Sequence, residues 1–193
     1  MAGAAETEGR IGPNAVSQMA AALSARGHGD GAASVFHAAG LGALLTEPPK
    51  TMVPEGAVAR LHSAVPACFP QAQADALAFD AGRRTAAYIL ANRIPRPAQW
   101  LLRALPPRPA ARLLLGAIGR NAWTFAGSGR FHAEPGRPAR LAIAANPIAV
   151  PGCPWHRGVF AGLFAALVAP HASVRETACC ARGAPECRFE IDF

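Results

Sequence analysis

The chain has 193 residues, five cysteines, a hydrophobic share of 51% and a charged share of only 16%. That length fits one domain whose core can stand without disulfides, and no apolar run reaches the roughly 18 residues of a membrane span. The formal net charge is +7, but the basic residues, all arginine except Lys50, are dispersed and accompany no helix-turn-helix or RNP-like motif, so nucleic acid is not an expected partner.

Residues 1–10 read as a flexible terminus: Glu6 and Glu8 interrupt it and no apolar core follows, so we expect no signal peptide and a cytoplasmic protein with reduced thiols. Residues 11–70 read as an N-terminal helical segment and residues 71–193 as a ligand-binding domain. Ile11-Gly12-Pro13-Asn14 turns into a helix capped by Asn14, with Val16, Met19 and Leu23 at helical spacing. Gly27-His28-Gly29-Asp30-Gly31 follows no strand and reads as a linker. A short helix carries Val35 and Phe36, Pro48 and Pro49 mark a loop, and Glu55 opens a helix through Val65. Gln71 to Asn92 is the longest helix, stopped by Pro95 and Pro97. Trp100 to Leu105 and Ala110 to Ile118 are two further helical pieces.

Alternation then replaces helical spacing. Trp123, Phe125, Gly127, Gly129 and Phe131 alternate with polar residues, which predicts a strand running on through His132 to Glu134. Arg140 to Asn146 reads as its partner, Pro154 starts a helix through Val168, and Val174 to Arg182 with Glu186 to Phe193 form a hairpin around Gly183-Ala184-Pro185. Helices first, then a small antiparallel sheet crossed by one helix, make an α+β fold.

Cys179 and Cys187 flank the hairpin turn. With the turn centred on Gly183 their side chains share one face and Cys180 points to the other, a parity that a bulge would upset. Cys153 lies just before the late helix, so three thiols can meet. Zinc takes four ligands, with Cys and His preferred. His132 and Glu134 share a strand face with Arg130, and His132 is favoured as the fourth ligand. Buried free thiols and a Cys179–Cys187 disulfide are the other readings of these residues.

The stretch from Cys179 through Gly183, Pro185 and Cys187 to Phe189 resembles the C-terminal signature of the 4-vinyl-reductase domain family, and Cys153 with Gly158 and Gly162 fits the same layout. The likeness covers roughly Gln71 to Phe193. Arg10 to Ala15 and Trp123 to Phe131 resemble the bacteriochlorophyll branch, the 4-vinyl (8-vinyl) reductases. The resemblance implies helices packed on a small antiparallel sheet, similar to a vesicle-tethering subunit and often dimeric through the N-terminal helices. In sensor relatives such a domain binds a small apolar ligand and carries a structural zinc, which maps onto Cys153, Cys179 and Cys187 with an acidic fourth ligand. It also implies a Mg-porphyrin or chlorophyllide intermediate and other pigment-synthesis enzymes as partners.

A vinyl reductase needs a hydride, normally from NAD(P)H or a flavin. Gly127-Ser128-Gly129 is expected to continue into strand, so it cannot cradle a pyrophosphate, and no NAD(P), flavin or Fe–S motif is found. Whether the chain is an enzyme therefore stays open between a tetrapyrrole carrier or assembly factor, an 8-vinyl reductase, and an effector-sensing adaptor acting by protein contacts. A flat apolar macrocycle with carboxylate edges suits Trp123, Phe125, Trp155, Phe160 and Phe164 as walls, with core packing as the plainer role. Arg130, Arg157 and Arg120 are candidates for its carboxylates, and His156 for an axial Mg ligand or proton donor.

Overall fold

The structure is a computed structural model that describes residues 9–25 and 29–193. The linker expected at Gly27 to Gly31 and most of the expected flexible terminus fall outside these residues, although Arg10 already belongs to a strand. The N-terminal half contains β1 (Arg10–Ile11), α1 (Asn14–Ala25), α2 (Gly29–Ala38), α3 (Ala43–Thr46), β2 (Val53–Pro54), α4 (Glu55–Cys68) and α5 (Gln71–Asn92). Then come α6 (Arg96–Ala104), α7 (Pro107–Arg120), α8 (Trp123–Ala126), β3 (Arg130–Glu134), β4 (Ala139–Ala144), α9 (Pro154–Leu167), β5 (Ser173–Ala178) and β6 (Glu186–Asp192). The α+β class is as the sequence predicts.

Proline punctuates the helical half. Pro70, Pro95 and Pro106 sit immediately before α5, α6 and α7, where a missing N–H costs nothing. Buried Gln99 closes the α5–α6 corner by donating from Nε2 to the carbonyls of Leu90 (2.6 Å) and Ile94 (2.8 Å), which are helix-end acceptors without helical partners. The inner layer is α5 laid along α9. A Cβ on Gly82 would run into the Trp155 carbonyl and one on Gly158 into the Phe79 carbonyl, so these glycines allow backbone-to-backbone contact.

The main sheet is antiparallel in the order β3-β4-β6-β5. Leu141, Ile143, Cys187, Phe189 and Ile191 are buried on its inner face, on the side of α9. Arg140, Arg175 and Glu190 lie on the outer face, where Glu190 accepts from both arginines at 3.3 and 2.7 Å. A separate two-stranded ribbon pairs Arg10 with Pro54 and Ile11 with Val53. From it, the Gly12 N–H reaches the Thr124 carbonyl at 2.7 Å.

One expected strand is corrected. Trp123 to Gly129 is not extended: α8 makes one helical turn, and β3 begins only at Arg130. Local hydrogen bonds favour the turn, with Ala126 N on the Ala122 carbonyl (2.8 Å) and Thr124 Oγ1 on the Asn121 carbonyl (2.7 Å). Gly127 then adopts φ +57° and ψ −126°, a conformation residues with a Cβ avoid. The Glu55 carboxylate fixes the loop by accepting from Ser128 N and Ser128 Oγ, both at 2.7 Å.

Candidate functional site

Cys153 immediately precedes α9 with φ +39° and ψ +49°, left-handed backbone that a side-chain-bearing residue adopts at a cost. Its N–H is held by the Val150 carbonyl at 2.8 Å. Its Sγ lies 3.4 Å from Cys187 Sγ and 3.7 Å from Cys179 Sγ, and all three thiols are buried within 4.8 Å of one another. No disulfide joins them. The Asn146 amide and the Cys180 backbone N–H both donate to Cys187 Sγ at 3.3 Å. The Cys153 thiol also donates to it, and this bond, with the two N–H donors, pulls Cys187 down to about 5 against its burial. The same bond, with burial, pushes the Cys153 thiol up, so the cluster carries a thiolate at neutral pH. Such a set of sulfur donors can hold a metal ion.

The structure does not bring His132 or Glu134 to these sulfurs. Both lie on the exposed outer face of β3, opposite Ala142 and Arg140 respectively, with the sheet between them and the thiols. The acidic group beside the cluster is Glu176, which in the sequence reads as a surface residue. Its side chain is 3% exposed, Arg182 pairs with Oε1, and Oε2 is buried without a hydrogen bond. Burial raises its pKa, the Arg182 guanidinium opposes this, and nearby Cys187 and Cys179 also act on it. The register explains why strand parity misses Glu176. Glu176 pairs with inward-facing Phe189, but the ladder then shifts so that Ala178 pairs with Arg188. The bulge reverses the alternation, letting Glu176 and Cys179 both face inward despite their odd separation.

Next to the thiols, α9 presents Trp155, His156 and Phe160. They meet Phe125 of α8 and Phe189 of β6, with ring centroids from 5.0 to 6.3 Å apart. Other candidates lie elsewhere. Phe164 packs instead on Phe193 at 5.8 Å, Trp123 is 60% exposed, and Arg130 is exposed at the start of β3. His62, which stands in no constellation in the sequence, is buried edge-on to Trp155 at 5.5 Å, with Nε2 3.2 Å from the Ala15 carbonyl.

His156 bonds to the Phe125 carbonyl while its Nε2 has no partner, so Nδ1 is the bonded nitrogen and Nε2 is left with a free lone pair. Burial is the main cause that lowers His156 to about 3, followed by the charge of His62. Burial likewise lowers His62 to about 4, with the Ala15 bond opposing. Both folded values lie below the unfolded value of 6.5, so the unfolded chain takes up protons first on acidification. Stability from this pair is complete above that value and is expected to fall by roughly 1.4 kcal/mol per pH unit per ring below it. Urea unfolding at a series of pH values, with and without His62→Gln, measures this. A flat profile between pH 7 and 5 would refute the neutral buried pair.

With this geometry in place, the relationships of the chain follow. A sheet-and-helix unit with a buried thiol cluster at one end is the part matched by the 4-vinyl-reductase domain family, over residues 141–193. Two proteins named bacteriochlorophyll synthase 23 kDa chain are similar over nearly the whole length. That of Cereibacter sphaeroides is 48% identical over 188 residues, covering 94% of this chain and 90% of the relative. That of Rhodobacter capsulatus is 38% identical over 201 residues, covering 99% and 92%. The chain belongs to the bacteriochlorophyll synthase 23 kDa chain family.

Proposed function

We propose that this chain is a tetrapyrrole-handling subunit of bacteriochlorophyll synthesis, which binds a Mg-porphyrin or chlorophyllide intermediate and presents it to other pigment-synthesis enzymes. The names of its relatives support the pathway and a role as one chain of a larger system. His156 carries the binding half of the reading. A neutral imidazole, oriented by an Nδ1–H bond to a carbonyl and holding a free Nε2 lone pair, has the chemistry of an axial Mg ligand. Phe125, Trp155, Phe160 and Phe189 provide flat apolar walls. These rings already touch, so a macrocycle enters only when half-buried Phe125 moves out on its one-turn helix.

A structural zinc ion belongs to the same proposal. Cys153, Cys179 and Cys187 would hold it, with Glu176 as fourth ligand. The fit rests on a ready thiolate and on a buried carboxylate oxygen that has no other partner. The ion would clamp the start of α9 to the terminal hairpin.

The test is titration with Mg-protoporphyrin, followed at its Soret band. The native chain is expected to bind and shift the band, and His156→Ala to weaken binding about 10–100-fold, with recovery on adding imidazole. An unshifted band with native protein, or unchanged affinity in the variant, would sink the reading and leave the adaptor role. Reduction of a divinyl substrate by the purified chain with NAD(P)H alone would replace it with the 8-vinyl reductase reading.

A further inference from the structure

Between Asp80 and Glu134 the chain contains no acidic residue and nine arginines. Arg93, Arg96, Arg103, Arg108, Arg112 and Arg120 are all exposed, and none forms an ion pair with an acidic group of the described residues. The same segment holds the exposed large apolar side chains of the described residues: Trp100 (66%), Leu101 (58%), Leu113 (51%) and Trp123 (60%). Folded chains rarely cluster such groups on a free surface without a use for them.

The placement follows from two amphipathic helices in contact with each other. Helix α6 buries Gln99 and Leu102 and turns Trp100, Leu101 and Arg103 outward, while α7 buries Leu114, Leu115 and Ile118 and turns Arg108, Arg112 and Leu113 outward. At the foot of α7, Arg108, Arg112 and Arg137 line an open concavity of about 610 Å³, and no acidic side chain lines it.

We propose that the α6–α8 face docks the protein on an anionic membrane surface. The tryptophans and leucines enter the boundary between headgroups and acyl chains, as amphipathic side chains do in interfacial helices. The arginines hold the negative headgroups, and the three-arginine hollow takes a lipid phosphate. Charge complementarity selects this occupant. A second copy of the chain would set unpaired arginines against arginines, and an acidic soluble partner would match the charge without calling for two exposed indoles. No helix of the described residues is long and apolar enough to cross a membrane, so the contact is peripheral.

The full chain is tested by co-sedimentation with vesicles of phosphatidylcholine, with and without phosphatidylglycerol. Binding is expected only with the anionic lipid and is expected to weaken as salt shortens the screening length. The double variant Arg108→Gln, Arg112→Gln is expected to bind on the order of thirtyfold more weakly. Brominated lipid is expected to quench tryptophan emission in the native chain, and this quenching to vanish in Trp100→Ala, Trp123→Ala, with circular dichroism confirming the fold of each variant. Failure to sediment with anionic vesicles, equal binding to the neutral ones, or undiminished binding of the arginine variant overturns the proposal. So does self-association that shields the indoles from an aqueous quencher before lipid is added.

Discussion

Replacing Cys187 with serine is expected to release bound zinc and to lower the melting temperature by roughly 10 °C. The reasoning starts from the donors around that sulfur. Cys187 accepts from the Cys153 thiol, the Asn146 amide and the Cys180 N–H, an arrangement that stabilises a thiolate and so a metal ligand. Serine keeps a hydrogen-bond acceptor but not the thiolate, so the proposed site loses one of four ligands. Losing a structural metal costs at least about 3 kcal/mol, and a domain of this size loses roughly 2–4 °C per kcal/mol. Exposed Cys68 is the control, since Cys68→Ser should leave both metal and melting temperature alone. A chelator should destabilise the native chain and leave Cys187→Ser unmoved. Freshly purified protein that holds no zinc, and whose melting temperature a chelator does not shift, would remove the metal from the proposed function. The thiol cluster would then remain as buried packing.

Gly158→Ala is expected to cost about 3 kcal/mol or more, read as a lower midpoint in urea. A Cβ there meets the Phe79 carbonyl, with Arg83 N and Gly82 Cα each about 3.0 Å away. All three are backbone atoms, which cannot rotate aside, so α5 and α9 must separate and lose dispersion contacts along their length. Gly183 makes a useful contrast. It has φ +84° but nothing within 4 Å of an added Cβ, so Gly183→Ala carries only the backbone term of about 1 kcal/mol. Because α9 bears His156 and follows directly on Cys153, the helix shift in Gly158→Ala should also weaken porphyrin binding. Native stability in Gly158→Ala would mean that the helices are not in such close contact.

Much of the helical half can be read from the chain because its boundaries are local. Pro70 and Pro95 bracket α5, and the predicted span Gln71 to Asn92 is the observed one. The α9 helix and the terminal hairpin are readable for the same reason, with Pro154 and Gly183 as punctuation. The strand expected from Trp123 shows the limit. Its alternation is real, but Glu55, 73 residues earlier, and a positive-φ Gly127 decide the conformation. β1 and β2, with two residues each, are too short to show any period. In the site, the three cysteines are legible from turn and spacing. Glu176 is not, since period-two parity fails at a bulge that only the ladder reveals. Alternation puts His132 on the correct strand but does not say which face looks inward.

The three clustered sulfurs come from separate stretches, with Cys153 and Cys187 lying 34 residues apart along the chain. They are shielded together only after the late helix, both hairpin arms and the intervening turn have all docked, whereas Cys68 stays open to solvent throughout. The molecule thus contains its own folding gauge: the rate at which an alkylating reagent consumes those three thiols, measured against Cys68, gives the free energy of opening that half of the protein.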